Sequence, residues 1–191
     1  MKILEPCTLV FFFVCGNLSR RKLIPALFHL ETAKRLPDHL IILGCDIAHY
    51  THEQWLGLVS DILRELHGAK IDEAALQRFC ARLHYFAIPP GDEDAYVRLQ
   101  TLLDKDPKFP PNVVYYMAVR PVDYPGIVEK LGNIGLLKQN NGWRRVVIEK
   151  PFGYDLLSAQ TLQASLYRHL DEPQIYRIDH YLGKGTVQNI M

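Results

Sequence analysis

The 191-residue sequence has no surplus of charge of either sign, since 22 Lys and Arg stand against 21 Asp and Glu for a net charge of +1. That balance argues against nucleic acid or an anionic membrane as the main partner, so any anion site must be local. Cysteine is scarce and unpatterned. The four, Cys7, Cys15, Cys45 and Cys80, form no CxxC or other metal-ligand spacing, and their mostly apolar neighbours fit reduced, buried thiols of a cytoplasmic protein. Long hydrophobic runs are missing as well. Cys7 to Gly16, behind Lys2, is too short to span a bilayer and has no small-residue cleavage site, and Phe13 and Val14 before Cys15 do not suit a lipoprotein signal. The run reads as a buried strand. No repeat, low-complexity tract or interdomain linker is present.

With 48% hydrophobic residues, the chain has enough apolar surface for a sizeable core. Apolar, β-rich runs alternate with helical patterns, the arrangement of a doubly wound, mostly parallel Rossmann-like α/β sheet with helices on both faces. The spacing predicts strands over Thr8–Val14, His39–Gly44, Leu83–Ile88, Val113–Val119, Arg145–Glu149 and Gln174–Ile178. Thr51 and Gln54 make a capping box, after which Trp55, Val59, Ile62, Leu63 and Leu66 share one helix face. Helices are also expected over Glu73–Leu83 and Asp92–Leu103, and from Asp155, where Leu162, Leu166 and Leu170 recur every four residues. Pro and Gly clusters at Pro89-Pro90-Gly91, Pro107 to Pro111 and Asn140-Asn141-Gly142 fall at the joints. The apolar pattern of Thr186 to Met191 stops without a turn or helix stop, which implies a chain that is cut short.

Four places carry side chains suited to chemistry. Gly16 follows the first strand and precedes Arg20-Arg21-Lys22. Either backbone N–H groups and a helix N-terminus meet an anion here, or this is an ordinary turn with a solvated basic stretch. Asp46 ends the second strand at the distance from the glycine turn where a carboxylate accepts hydrogen bonds from an adenosine ribose; the alternative is a surface Asp opening a loop. Lys150 lies just past the fifth strand, placed either to reach a phosphate or sugar oxygen or to face solvent. Pro151 holds its backbone extended and admits a cis bond. Asp179, His180, Tyr181 and Lys184 follow the sixth strand. His, Tyr and Lys suit a phosphate and Asp179 can orient an imidazole, unless Asp179 merely pairs with Lys184.

In this order the segments resemble the glucose-6-phosphate dehydrogenase family. Arg177-Ile178-Asp179-His180-Tyr181-Leu182-Gly183-Lys184 is similar to the family's R-I-D-H-Y-L-G-K. Glu149-Lys150-Pro151-Phe152-Gly153 resembles its E-K-P-F-G, and Phe13 to Pro25 its glycine-rich first turn. Tyr115 to Pro121 resembles F-Y-L-A-L-P-P. The resemblance implies that Gly16, Asn17, Leu18 and Arg20 cradle the pyrophosphate of NADP and that Tyr116 lies along the dinucleotide. It implies that Lys150 sits between nicotinamide and sugar, that His180, Tyr181 and Lys184 hold the 6-phosphate of glucose 6-phosphate, and that Lys22 assists on the substrate side. Asp179 would pair with the histidine base that takes the C1 hydroxyl proton while hydride leaves C1, giving 6-phosphogluconolactone in the pentose phosphate pathway.

That base belongs to the family's C-terminal α+β domain, and none of the 8 histidines here matches it. The expected organisation is therefore a dinucleotide-binding domain over residues 1–191, with 174–191 leading into a substrate and dimerisation domain. The full-length family forms a homodimer or tetramer. A non-catalytic binding or interaction module is the competing reading; a short-chain dehydrogenase is not, because no tyrosine has a lysine four residues on. Four departures stand out. Phe13 replaces the family's first glycine and would crowd the pyrophosphate. Asp46 and Ile47 replace the alanine and the arginine that favour NADP, which points towards NAD. Arg120 replaces a proline, and Gly185 a glutamate.

Overall fold

The computed structural model describes residues 5–179. Six strands, β1 (Cys7–Phe12), β2 (Leu40–Asp46), β3 (Leu83–Ala87), β4 (Asn112–Met117), β5 (Arg144–Glu149) and β6 (Ile175–Ile178), form one parallel sheet in the order β3-β2-β1-β4-β5-β6. Each matches an expected strand to within two residues at both ends, and the doubly wound architecture is as the alternation implied. Strand order reverses between β1 and β4, so the crevice beyond their carboxyl ends is where such a sheet binds ligands.

The helices are α1 (Ile24–Thr32), α2 (His52–His67), α3 (Glu73–Ala81), α4 (Ala95–Lys105), α5 (Tyr124–Asn133) and α6 (Leu156–Leu166). α1, α2 and α3 cover one face, where Phe11, Ile42 and Leu83 of the sheet pack with Phe28, Trp55, Val59, Leu63 and Phe79. α4, α5 and α6 cover the other, against Val10, Leu43, Tyr115, Val146 and Ile148. α5 is hidden in the sequence by Pro125, Gly126 and Gly132, yet it buries Tyr124, Val128 and Leu131 at helical spacing.

The Thr51–Gln54 capping box is present, with Thr51 accepting from the Gln54 amide at 3.1 Å and Gln54 from the Thr51 amide at 2.9 Å. Leu66 departs from expectation and is 59% exposed. Its angle about the axis is right for burial, but in the last turn the core is met by Leu63 and by His67, whose ring stands edge-on to Phe28 at 5.3 Å. Of the four cysteines, all free thiols, only Cys45 is fully buried.

α1 and α3 are joined by the buried Glu31 carboxylate, which meets Arg78 at 3.2 Å and Arg82 at 3.0 Å. Removing one member of such a pair leaves charges without compensation, whereas a surface cap contributes less. Glu31→Ala is expected to lower stability by about 2–3 kcal/mol and Thr51→Ala by about 1 kcal/mol, read as urea midpoint shifts at unchanged slope.

Candidate functional site

β1 stops at Phe12, two residues before the expected end, because Phe13 adopts φ +64° and cannot continue a strand. This is the position where the resemblance places a glycine, and a side chain in this left-handed region costs about 1–2 kcal/mol. The turn is nonetheless firmly held. The Phe13 amide donates to the Cys45 carbonyl at 2.8 Å, the Gly16 amide to the Phe13 carbonyl at 3.1 Å, and the Ser19 hydroxyl to the same carbonyl at 3.1 Å. The Phe13 side chain lies against Gly16, where a Cβ would collide with its ring. The bare backbone that would let a pyrophosphate approach is thus covered by the chain's own phenyl group.

Residues 17–32 are helical throughout, but Ser19–Leu23 widen into a π-turn before α1. Asn17 and the basic residues Arg20, Arg21 and Lys22 are exposed, Leu18 is half-buried and Ser19 is buried. The basic stretch therefore faces solvent beside the turn, as either reading of it required.

Beyond the carboxyl ends of the strands lies a cleft of about 610 Å³. Phe12, Phe13, Ile88, Pro89, Pro90, and Tyr96 give it apolar walls, and Asp46, Asp92, Asp123, Arg120 and Lys130 supply its charges. Of the expected cofactor residues only Asp46 lines it. Asp46 is not the loosely placed loop residue of the bland alternative. It is 5% exposed, and its carboxylate accepts from the amides of Cys15 at 2.8 Å, Ile47 at 2.8 Å and Ala48 at 3.4 Å. Phe13, Ile47 and Arg120, noted in the sequence as departures from the family pattern, line it too, whereas Tyr96, Asp92, Asp123 and Lys130 were not read as site residues.

Tyr116 turns to the opposite face, its ring 5.0 Å from that of Phe11 and its hydroxyl donating to the buried carboxylate of Glu149. Burial and that carboxylate push the Tyr116 hydroxyl well above the ordinary tyrosine range, so it stays protonated and acts as a donor. Glu149 was not singled out as a site residue, yet it also ends its strand facing a tyrosine. At the next position the Lys150–Pro151 bond is cis. Lys150 and Asp179, from the ends of β5 and β6, form an ion pair at 2.8 Å with the lysine half-exposed. Asp179 was expected to serve a histidine, or else Lys184; among the described residues it is ion-paired with Lys150. His180, Tyr181 and Lys184 lie outside the described residues.

No group of His, Cys, Asp and Glu among the described residues could hold a metal ion, and no described helix is long and apolar enough to cross a membrane. A second groove, about 660 Å³, runs between Pro121–Pro125 and α6. Among the described residues Arg168 is its only charged lining residue.

Comparison with known proteins joins these features. The family described as glucose-6-phosphate dehydrogenase, NAD binding domain, matches residues 10–189. Glucose-6-phosphate 1-dehydrogenase of Aggregatibacter actinomycetemcomitans is 39% identical over 98% of this chain, and that of Treponema pallidum 40% identical over 97%. The chain spans 38% and 37% of those relatives' lengths. Among solved structures, the Mycobacterium avium enzyme aligns with TM-score 0.80 at 34% identity, over 93% of this chain and 36% of its own. A glucose-6-phosphate dehydrogenase in complex with glucose 6-phosphate aligns with TM-score 0.85 at 32% identity, over the whole of this chain and 40% of its own. The family match over residues 10–189 and the identity of these relatives over nearly all of the chain show that the chain belongs to the glucose-6-phosphate dehydrogenase family and carries its NAD-binding domain.

Proposed function

We propose that residues 1–191 form the dinucleotide-binding portion of an NAD(P)-dependent glucose-6-phosphate dehydrogenase, with 174–191 leading into a substrate and dimerisation domain. The single observation that carries this reading beyond family membership is the Lys150–Asp179 pair at the carboxyl lip of β5 and β6, next to the switch-point crevice. A lysine held there by a carboxylate is oriented before a sugar arrives, so less freedom is lost on binding. Asp179, tied to Lys150, serves as the orienting carboxylate for a histidine base supplied by the rest of the longer protein. His180, Tyr181, Lys184 and Lys22 are assigned to the 6-phosphate.

The dinucleotide supplies the hydride acceptor, which is the cofactor's chemistry rather than the protein's. The chain's own residues position and exclude water. The apolar walls from Phe12, Ile88, Pro89 and Tyr96 suit an adenine, and Asp46 faces the adjoining ribose. Gly16, Asn17, Leu18 and Arg20 border the pyrophosphate path, which the Phe13 ring covers. Glu149 holds the Tyr116 hydroxyl, and the family resemblance assigns Tyr116 to the dinucleotide and Lys150 to the meeting of nicotinamide and sugar. The four free thiols support a cytoplasmic setting, and the family resemblance a homodimer or tetramer for the longer protein.

The Phe13 ring favours a second reading, in which the domain keeps the fold as an interaction module without turnover. Titration of the purified 191-residue chain with NAD, NADP and glucose 6-phosphate separates the two. Binding of a dinucleotide is expected, and binding of none of the three would leave only the second reading. Turnover by this polypeptide assayed alone is expected to be undetectable, and a rate near ordinary dehydrogenase values, about 1–1000 per second, would refute the assignment of the base. Phe13→Gly uncovers Gly16 and removes the left-handed strain; it should tighten binding of either dinucleotide by about tenfold, measured by calorimetry.

A further inference from the structure

Anion sites are commonly built from converging backbone amides, and this cleft has such a nest where the turn after β1 meets the loop after β2. The nest is filled by the chain itself. The amides of Cys15, Ile47 and Ala48 all donate to Asp46. The loop that carries two of them is pinned from outside, because the Tyr85 hydroxyl donates to the Ala48 carbonyl at 2.5 Å. Ile47, next in sequence, is 56% exposed and offers no charge.

The cations that line the cleft are engaged elsewhere. Arg120 donates through Nε and Nη2 to Asp123, at 2.9 and 3.2 Å, and Lys130 stands 5.2 Å over the Tyr96 ring. Of the three lining carboxylates, Asp92 pairs with Arg98 and Asp123 with Arg120, whereas Asp46 is held by backbone amides. Burial first, then the Asp46 carboxylate, pushes the neighbouring Cys15 thiol up to about 12, with Arg20 opposing.

We propose that Asp46 is a specificity-determining residue that makes this cleft accept a dinucleotide with a free adenosine 2′-hydroxyl and reject one bearing a 2′-phosphate. The proposal rests on the reading that the cleft holds the adenosine end of the cofactor. A hydroxyl donates to a carboxylate and adds to its hydrogen bonds. A phosphate monoester cannot donate in its dianionic form. It would bring roughly −1.5 to −2 charge against a buried carboxylate, and would need the amides that Asp46 already holds.

The test uses two probes that differ only at the 2′ position, 5′-AMP and 2′,5′-ADP, beside NAD and NADP. Each is titrated calorimetrically into the wild-type chain, Phe13→Gly, Asp46→Asn and the double variant. The wild type is expected to bind 5′-AMP over 2′,5′-ADP, and NAD over NADP, by at least about tenfold. Asp46→Asn keeps an acceptor for the amides but removes the charge, and should shrink both ratios by about tenfold, mainly by tightening the 2′-phosphorylated ligands. Phe13→Gly should move NAD and NADP together. Tighter binding of the 2′-phosphorylated probe by the wild type, or ratios unchanged in a folded Asp46→Asn, would overturn the proposal. The wild-type comparison decides alone if Asp46→Asn does not fold. Binding of no probe in any folded variant would instead overturn the assignment of the cleft to the cofactor, and the proposal with it.

Discussion

The hydrogen bond from the Cys15 amide to the Asp46 carboxylate ties the turn after β1 to the end of β2, and the cleft takes its shape from that tie. Both the Phe13 and Val14 amides also reach the Cys45 carbonyl, at 2.8 and 3.3 Å, so the two strands are joined past the last rung of their ladder. A turn fastened this way can hold Phe13 in a conformation that a phenylalanine does not choose for itself, since the surrounding bonds over-determine it. The π-turn that follows delivers the chain into α1 with Ser19 bound back to the same Phe13 carbonyl.

Two devices make a dinucleotide site on such a sheet: bare backbone for close approach, and free amides for anionic groups. In this molecule a side chain occupies each. The Phe13 ring lies on Gly16, and the Asp46 carboxylate lies in the amide nest. The two occupants differ physically. A half-exposed ring can swing aside at modest cost, whereas a buried carboxylate with three amide donors cannot leave without stranding those donors. The ring therefore bears on how tightly any dinucleotide binds, and the carboxylate on which one.

The other lip of the crevice is simpler. β5 and β6 end side by side, and the Lys150 amide bonds the Ile178 carbonyl at 3.3 Å before their side chains meet. Lys150 and Asp179 are brought together by this register, and Glu149 and Tyr116 by the corresponding one between β5 and β4. Neither pair requires a loop to fold over it, so the polar groups on this side are positioned by the sheet.

The sequence by itself determined the strands, their parallel arrangement and most of the helices, because those follow from periodicities and caps that act over a few residues. Runs such as Cys7–Phe12 and Arg144–Glu149 have the branched and aromatic content of buried strands, and Thr51 with Gln54 announces its own helix. α5 escaped because Pro125, Gly126 and Gly132 obscure a face that only packing makes plain. Phe13 was legible as a glycine replaced, but not the direction of its ring, and Asp46 was legible as a carboxylate at a strand end, but not its captured state. Only the tertiary structure decided those, since the partners lie far along the chain: Asp46 and Cys15 are 31 residues apart, Lys150 and Asp179 29. Local pattern fixes which groups a strand end presents; what fills a nest of amides depends on which neighbouring strand arrives beside it.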